Sequence, residues 1–156
     1  MAIVQLPRGK STIIDDSDLE FVKSFRWYAS DGTHTSYVRR TTDKAALHRL
    51  LLCCCLGLQV DHINGNGLDN RRVNLRVVTV AQNQQNRRKT MTGSSQFKGV
   101  VFEKRLGRWK ARITVNKKLI ALGYFSAEID AALAYDVAAR EFFGEFAYLN
   151  SPQVTL

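Results

Sequence analysis

Ten residues, Asp61-His62-Ile63-Asn64-Gly65-Asn66-Gly67-Leu68-Asp69-Asn70, constrain this chain more than any other stretch. Gln59-Val60 runs extended into them, and Leu75-Arg76-Val77-Val78 is a second extended piece beyond them. The Asn/Gly-rich centre reads as a turn, since these residues supply left-handed backbone and short side-chain-to-backbone bonds. Val80 to Arg88 is polar, free of proline and compatible with a helix. Residues 59–88 therefore predict strand, turn, strand and helix, a ββα unit.

His62 stands beside a carboxylate at the lip of that turn, and Asn74 and Asn83 follow it by 12 and 21 residues. Phosphodiester hydrolysis needs a group that takes a proton from water near neutral pH, and a neutral imidazole has the suitable affinity. It also needs charge neutralised on the phosphate and the leaving 3′-oxygen, which a divalent metal does best. Such a metal wants hard oxygen ligands, with room left for waters and phosphate oxygens. Asp61 and the amide oxygen of Asn83 can supply two ligands, and His62 the base. Asn74 can pin the loop or the imidazole. A histidine alone in such a hairpin would be structural; all four positions together favour chemistry.

Two look-alikes fail. A calcium loop starting at Asp61 needs an oxygen ligand at its third position and Gly at its sixth, but Ile63 and Asn66 stand there. Gly9-Lys10-Ser11 mimics the end of a phosphate loop, but the earlier Gly would fall on Val4. His48 is expected to be a packed structural histidine, with phosphate contact the alternative, and His34 receives no role.

The charge distribution points to a polyanionic partner, without choosing between nucleic acid and an anionic membrane. The chain carries 23 Lys/Arg against 14 Asp/Glu, and the excess is uneven. Residues 97–125 hold 8 basic against 1 acidic residue, whereas residues 126–156 hold 1 against 5. A basic stripe followed by an acidic segment predicts a polyanion-binding face backed by a solvated helix. The longest apolar run, Leu50 to Leu58, is about half of the ~20 residues a bilayer span needs, so no membrane partner is expected. No signal pattern opens the chain, and Cys53, Cys54 and Cys55 are contiguous and odd in number. The expectation is a cytoplasmic protein with free thiols, not secreted; if phage-encoded, it would lie in the host cytosol or nucleoid.

Before the ββα unit, Ile13-Ile14 reads as a strand, and Asp15-Asp16-Ser17 offers caps for a short helix bearing Leu19, Phe21, Val22 and Phe25. Trp27-Tyr28-Ala29 and Tyr37-Val38 suggest a hairpin around Asp31-Gly32, and residues 44–52 a second short helix. The Gly/Ser stretch 89–96 is the expected linker. Beyond it, strands are predicted over 97–104, 109–116 and 118–125. The second alternates, with Trp109, Ala111, Ile113 and Val115 on one face and Lys110, Arg112, Thr114 and Asn116 on the other. Ser126 is the expected cap of a helix carrying Ile129, Ala132, Leu133, Val137, Phe142 and Phe143 and closed by Gly144.

Val60-Asp61-His62-Ile63-Asn64-Gly65, the run Leu68 to Arg76, and Gln82-Asn83-Gln84-Gln85-Asn86 together resemble the HNH endonucleases of phage and intron homing type. The resemblance implies Asp61 and Asn83 as ligands of one divalent metal, magnesium or manganese. It implies His62 as general base and Asn74 as the middle position that orients it. Asn83 stands where many HNH enzymes have His, which resembles the homing subgroup. Without paired Cys-x-x-Cys knuckles, no structural zinc is expected, nor any small-molecule cofactor.

Phe97-Lys98-Gly99-Val100, Gly107 to Ile113, Leu122 to Phe125, Ala131 to Ala139 and Leu149-Asn150 resemble an Apetala-two/ethylene-response-factor DNA-binding domain. Its three-stranded sheet would enter the major groove of double-stranded DNA, with Lys110, Arg112 and Thr114 on the polar face. Lys98, Arg105 and Arg108 are further expected contacts, as are Arg71, Arg72, Arg76, Arg87 and Arg88 around the nuclease unit. Val101, Glu103, Leu119 and Ala121 depart from the plant pattern, so looser sequence readout is expected.

The expected class is α+β: an HNH nuclease domain over 1–88 with its ββα-metal core at 59–88, the linker 89–96, and over 97–150 a small three-stranded antiparallel sheet packed on one helix. The expected activity is metal-dependent, site-specific DNA cleavage by a monomer that nicks one strand. The competing reading is a non-catalytic, transcription-factor-like protein on an inactive HNH scaffold.

Overall fold

The computed structural model describes residues 1–32, 34–89 and 93–151. The chain divides into two compact units, Met1–Gln84 and Gln85–Leu156. Both are α+β, built from small antiparallel sheets and short helices.

The first unit opens with β1 (Ala2–Gln5) paired to β2 (Ser11–Ile14), then α1 (Leu19–Lys23), and the hairpin β3 (Trp27–Asp31) and β4 (Ser36–Arg40). After α2 (Leu47–Leu51) come β5 (Gln59–His62), β6 (Leu75–Val78) and α3 (Val80–Asn86), whose last two residues belong to the second unit. Strands β5 and β6 pair antiparallel with Asp61 opposite Arg76 and His62 opposite Leu75. One core joins these pieces: Ile14, Val22, Trp27, Val38, Leu47, Val60 and Leu75 all belong to it. The short elements are held by this shared burial, since helices of one or two turns have little stability of their own.

Two details of the first half differ from expectation. Strand β1 was not foreseen; its register against β2, Ala2 opposite Ile14, completes a hairpin at the N-terminus. The aspartates before α1 do not cap it, and Asp15 instead accepts the backbone N–H of Arg72 at 2.7 Å.

In the second unit, β7 (Val100–Glu103), β8 (Arg108–Val115) and β9 (Lys118–Phe125) form a meander covered by α4 (Glu128–Phe143). Asn116 and Lys117 both take left-handed backbone, with φ of 50° and 65°, making the tight β8–β9 turn. The polar stretch expected as a linker is partly ordered: Ser94 Oγ accepts the N–H of Phe102 at 2.8 Å, and Gln96 N–H donates to Glu128 at 3.3 Å. Residues 90–92 of that stretch lie outside the described residues.

Helix α4 buries small residues. Ala131, Ala132, Ala138 and Ala139 face the sheet with Tyr135, while Ile129, Val137 and Phe142 are exposed. Alanines let the helix lie close to the strands, and Gly99 serves the same approach: a Cβ there would stand 2.0 Å from the Tyr135 ring. Ser126 is not the cap. The N-cap is Ala127 without a side-chain bond, and Glu128 and Asp130 in the first turn meet the positive helix end. The helix closes at Gly144, as the sequence suggests. Among the described residues no helix is long and apolar enough to cross a membrane.

Candidate active site

Strand β5 delivers Asp61 and His62 as neighbours, both buried, at 8% and 4% exposure. Leading out of β5, the loop is wired by its own asparagines. Asn64 Oδ1 accepts the N–H of Asn66 at 2.8 Å, Asn66 Oδ1 accepts that of Leu68 at 3.1 Å, and Asn64 Nδ2 donates to Asp69 at 3.0 Å. Asn74 ties both ends: its Oδ1 accepts the Asn64 N–H at 3.0 Å, and its Nδ2 donates to Asn64 Oδ1 and to the Asp69 carbonyl at 2.8 Å. Of the two roles open to Asn74 in the sequence, these bonds are those of loop bracing.

The amide bonded to His62 is that of Asn70, whose Oδ1 lies 3.3 Å from Nε2. Asn70 Nδ2 donates to Thr12 Oγ1 at 2.9 Å, and the Thr12 hydroxyl reaches the Leu68 carbonyl at 2.8 Å. Backbone bonds run beside them: Ile13 N–H donates to Leu68 at 2.9 Å and Asn70 N–H to Ile13 at 2.8 Å. Strand β2 thus grips the loop at residues 68–70. Sequence reasoning missed Asn70 and Thr12; the Leu68-Asp69-Asn70 run was visible, but its partner is 58 positions away.

The His62 ring packs edge-to-face on His48, with centroids 4.9 Å apart, and lies 5.9 Å from Tyr37. Burial pushes His62 below the usual imidazole value, partly opposed by the Asn70 bond and by the negative charge of Asp61 and Asp69. His48 is driven further, to about 3, by burial first and then by nearby positive charge. It is a packed ring whose Nδ1 has no hydrogen-bond partner among the described residues.

The Asp61 carboxylate is held by Arg76 across the ladder, with Nη2 at 2.9 Å and Nε at 3.1 Å from Oδ2. Asn83 in α3 donates from Nδ2 to Gln59 Oε1 at 2.6 Å, which docks the helix on β5 and leaves the amide oxygen as the end suited to a cation. Among the described residues no three His, Cys, Asp or Glu side chains cluster as a metal cage. A carboxylate and an amide oxygen fit a hard divalent cation that takes its remaining ligands from water and phosphate, and do not fit structural zinc.

Several arginines expected on DNA are engaged within the unit. Arg71 forks onto Asp69 at 2.7 and 2.6 Å, and Arg72 onto Asp18 at 3.0 and 2.7 Å. The Arg71 guanidinium holds the Asp69 carboxyl below its ordinary range. Arg87 and Arg88 are exposed.

In the second unit, Arg105, Arg108, Arg112 and Thr114 are exposed, and Lys110 Nζ stands over the Tyr124 ring at 5.5 Å. Lys98 is spent elsewhere. Its half-buried ammonium donates to the carbonyls of Gln85 and Arg87 at 2.6 and 2.7 Å, and burial lowers its value to about 8. Its backbone pairs with Asn150, which Asp136 anchors at 2.8 Å.

Residues 56–85 match the family model described as HNH endonuclease. An uncharacterized HNH endonuclease of Acanthamoeba polyphaga mimivirus is 32% identical over 93% of this chain and 78% of its own length. APETALA2-like protein 2 of Oryza sativa subsp. indica is 50% identical over 60 residues, 37% of this chain and 14% of that protein. Dehydration-responsive element-binding protein 2C of Arabidopsis thaliana is 40% identical over 40% of this chain and 19% of its own length. Against these plant proteins the chain therefore spans only a small part.

Proposed function

The chain belongs to the HNH endonuclease family, with an Apetala-two type domain, and we propose that it is a metal-dependent, site-specific DNA endonuclease of homing type. The observation that carries this reading is a buried imidazole, His62, next to a buried carboxylate, Asp61, on one strand, with burial pushing the imidazole below its ordinary value. Water beside His62 would give its proton to the ring and attack the phosphate in line, leaving 5′-phosphate and 3′-hydroxyl ends. Asp61 and Asn83 would hold one divalent cation, magnesium or manganese. When bound, that cation supplies charge neutralisation at the phosphate and the leaving oxygen. Asn74 braces the loop that follows His62, through Asn64 and the Asp69 carbonyl. The face bearing Lys110, Arg112 and Thr114, with Arg105 and Arg108 at its end, would grip duplex DNA and choose the site.

Incubation of supercoiled plasmid with the protein and magnesium, with and without chelator, tests the reading. His62→Ala should lower the cleavage rate by about 10²–10⁴ while leaving DNA affinity in place. Cleavage by this variant at the wild-type rate would remove His62 from the chemistry.

A further inference from the structure

Asn70 is 0% exposed, and its amide and the Thr12 hydroxyl bond beside the backbone bonds by which Ile13 of β2 already grips the loop. Their three bonds admit one consistent assignment. The Thr12 hydroxyl has a single hydrogen, and the Leu68 carbonyl 2.8 Å away can only accept it. The side of Thr12 Oγ1 turned to Asn70 is therefore a lone pair, so the Asn70 atom 2.9 Å from it is the NH₂. The Gly67 carbonyl, 3.4 Å from the same nitrogen, favours the same orientation. Asn70 then presents its oxygen to His62, so this 3.3 Å contact is a hydrogen bond when Nε2 carries the ring hydrogen.

We propose that Asn70, oriented by Thr12, is a positioning residue that sets the tautomer of His62 and makes Nδ1 the nitrogen that accepts a proton. A neutral imidazole carries one hydrogen on either nitrogen, and only the bare one can act as a base. The relay Leu68 carbonyl, Thr12 hydroxyl, Asn70 amide, His62 ring spends buried polar groups on that choice. Its catalytic purpose rests on the endonuclease reading; the tautomer itself does not.

The test is ¹⁵N NMR of the histidine rings in the full chain without metal, at a pH where they are neutral, alongside cleavage kinetics. Wild type should show His62 with hydrogen on Nε2. Thr12→Val keeps the side-chain shape and removes the lone pair, so the Asn70 amide can turn. The ring should then become a tautomer mixture, with kcat down about 10–100-fold and KM for DNA unchanged. Thr12→Ser should restore both signals. Asn70→Ala, which deletes the acceptor, should give the same ring change by a separate lesion. A wild-type ring with hydrogen on Nδ1, or a folded Thr12→Val with wild-type ring signals and kcat, overturns the relay. A wild-type chain that cuts no DNA with any divalent cation overturns the endonuclease reading, while the ring signals still report on the relay.

Discussion

Arg76 and His48 are the residues whose surroundings make the sharpest demands. The Arg76 guanidinium neutralises a carboxylate that the proposed reaction needs for a metal, so the two cations compete for Asp61. Removing one partner of a largely buried pair leaves the other charge exposed to its full desolvation cost. Arg76→Met should therefore lower stability by about 3–5 kcal/mol without metal. Magnesium should raise the melting temperature of this variant more than that of the wild type, as thermal unfolding in parallel would show. His48 contributes to the response to acid. Its folded value, about 3, lies below the unfolded value of 6.5, so the unfolded chain binds the extra proton in between. Its contribution is complete above pH 6.5 and is lost as pH falls toward 3. Melting temperatures across that window should fall less steeply in His48→Phe, which keeps the ring contact and deletes the proton-binding nitrogens.

Elements show which patterns a sequence can carry. The alternation over 109–116 correctly separated Ala111 and Ile113, which are buried, from Arg112 and Thr114, which are exposed. In α4 the same logic misplaced the large apolar residues, because close helix-to-sheet approach rewarded alanine over Ile129 and Val137. The strand ending in Asp61-His62 and the helix bearing Asn83 were legible because they lie on one short patterned segment. Gln59, Thr12 and Asn70 were not, since their roles exist only once distant backbone is brought together. The turn at Asn116-Lys117 was legible, yet Lys117 is a costly occupant at φ 65°. Lys117→Gly should stabilise the second unit by about 1 kcal/mol, measurable by denaturant unfolding, because left-handed backbone penalises a side chain.

Across the whole molecule, one chain carries one such constellation, and a single engagement should cut a single phosphodiester. Supercoiled plasmid should pass first to open circle, which accumulates, at a rate proportional to enzyme concentration. Linear product without that intermediate, rising with the square of concentration, would indicate two chains acting together across a two-fold axis. The grip of β2 on residues 68–70 has a consequence for how the protein comes into being. Its two sides are separated by more than fifty residues, a loop that must close before the bonds between them return anything. During synthesis the early strand must wait for the hairpin to emerge, and a partial chain lacks the bonds from β2 that hold the loop around His62. For the proposed endonuclease, the capacity to cut would then arrive late, with folding of the unit as a whole.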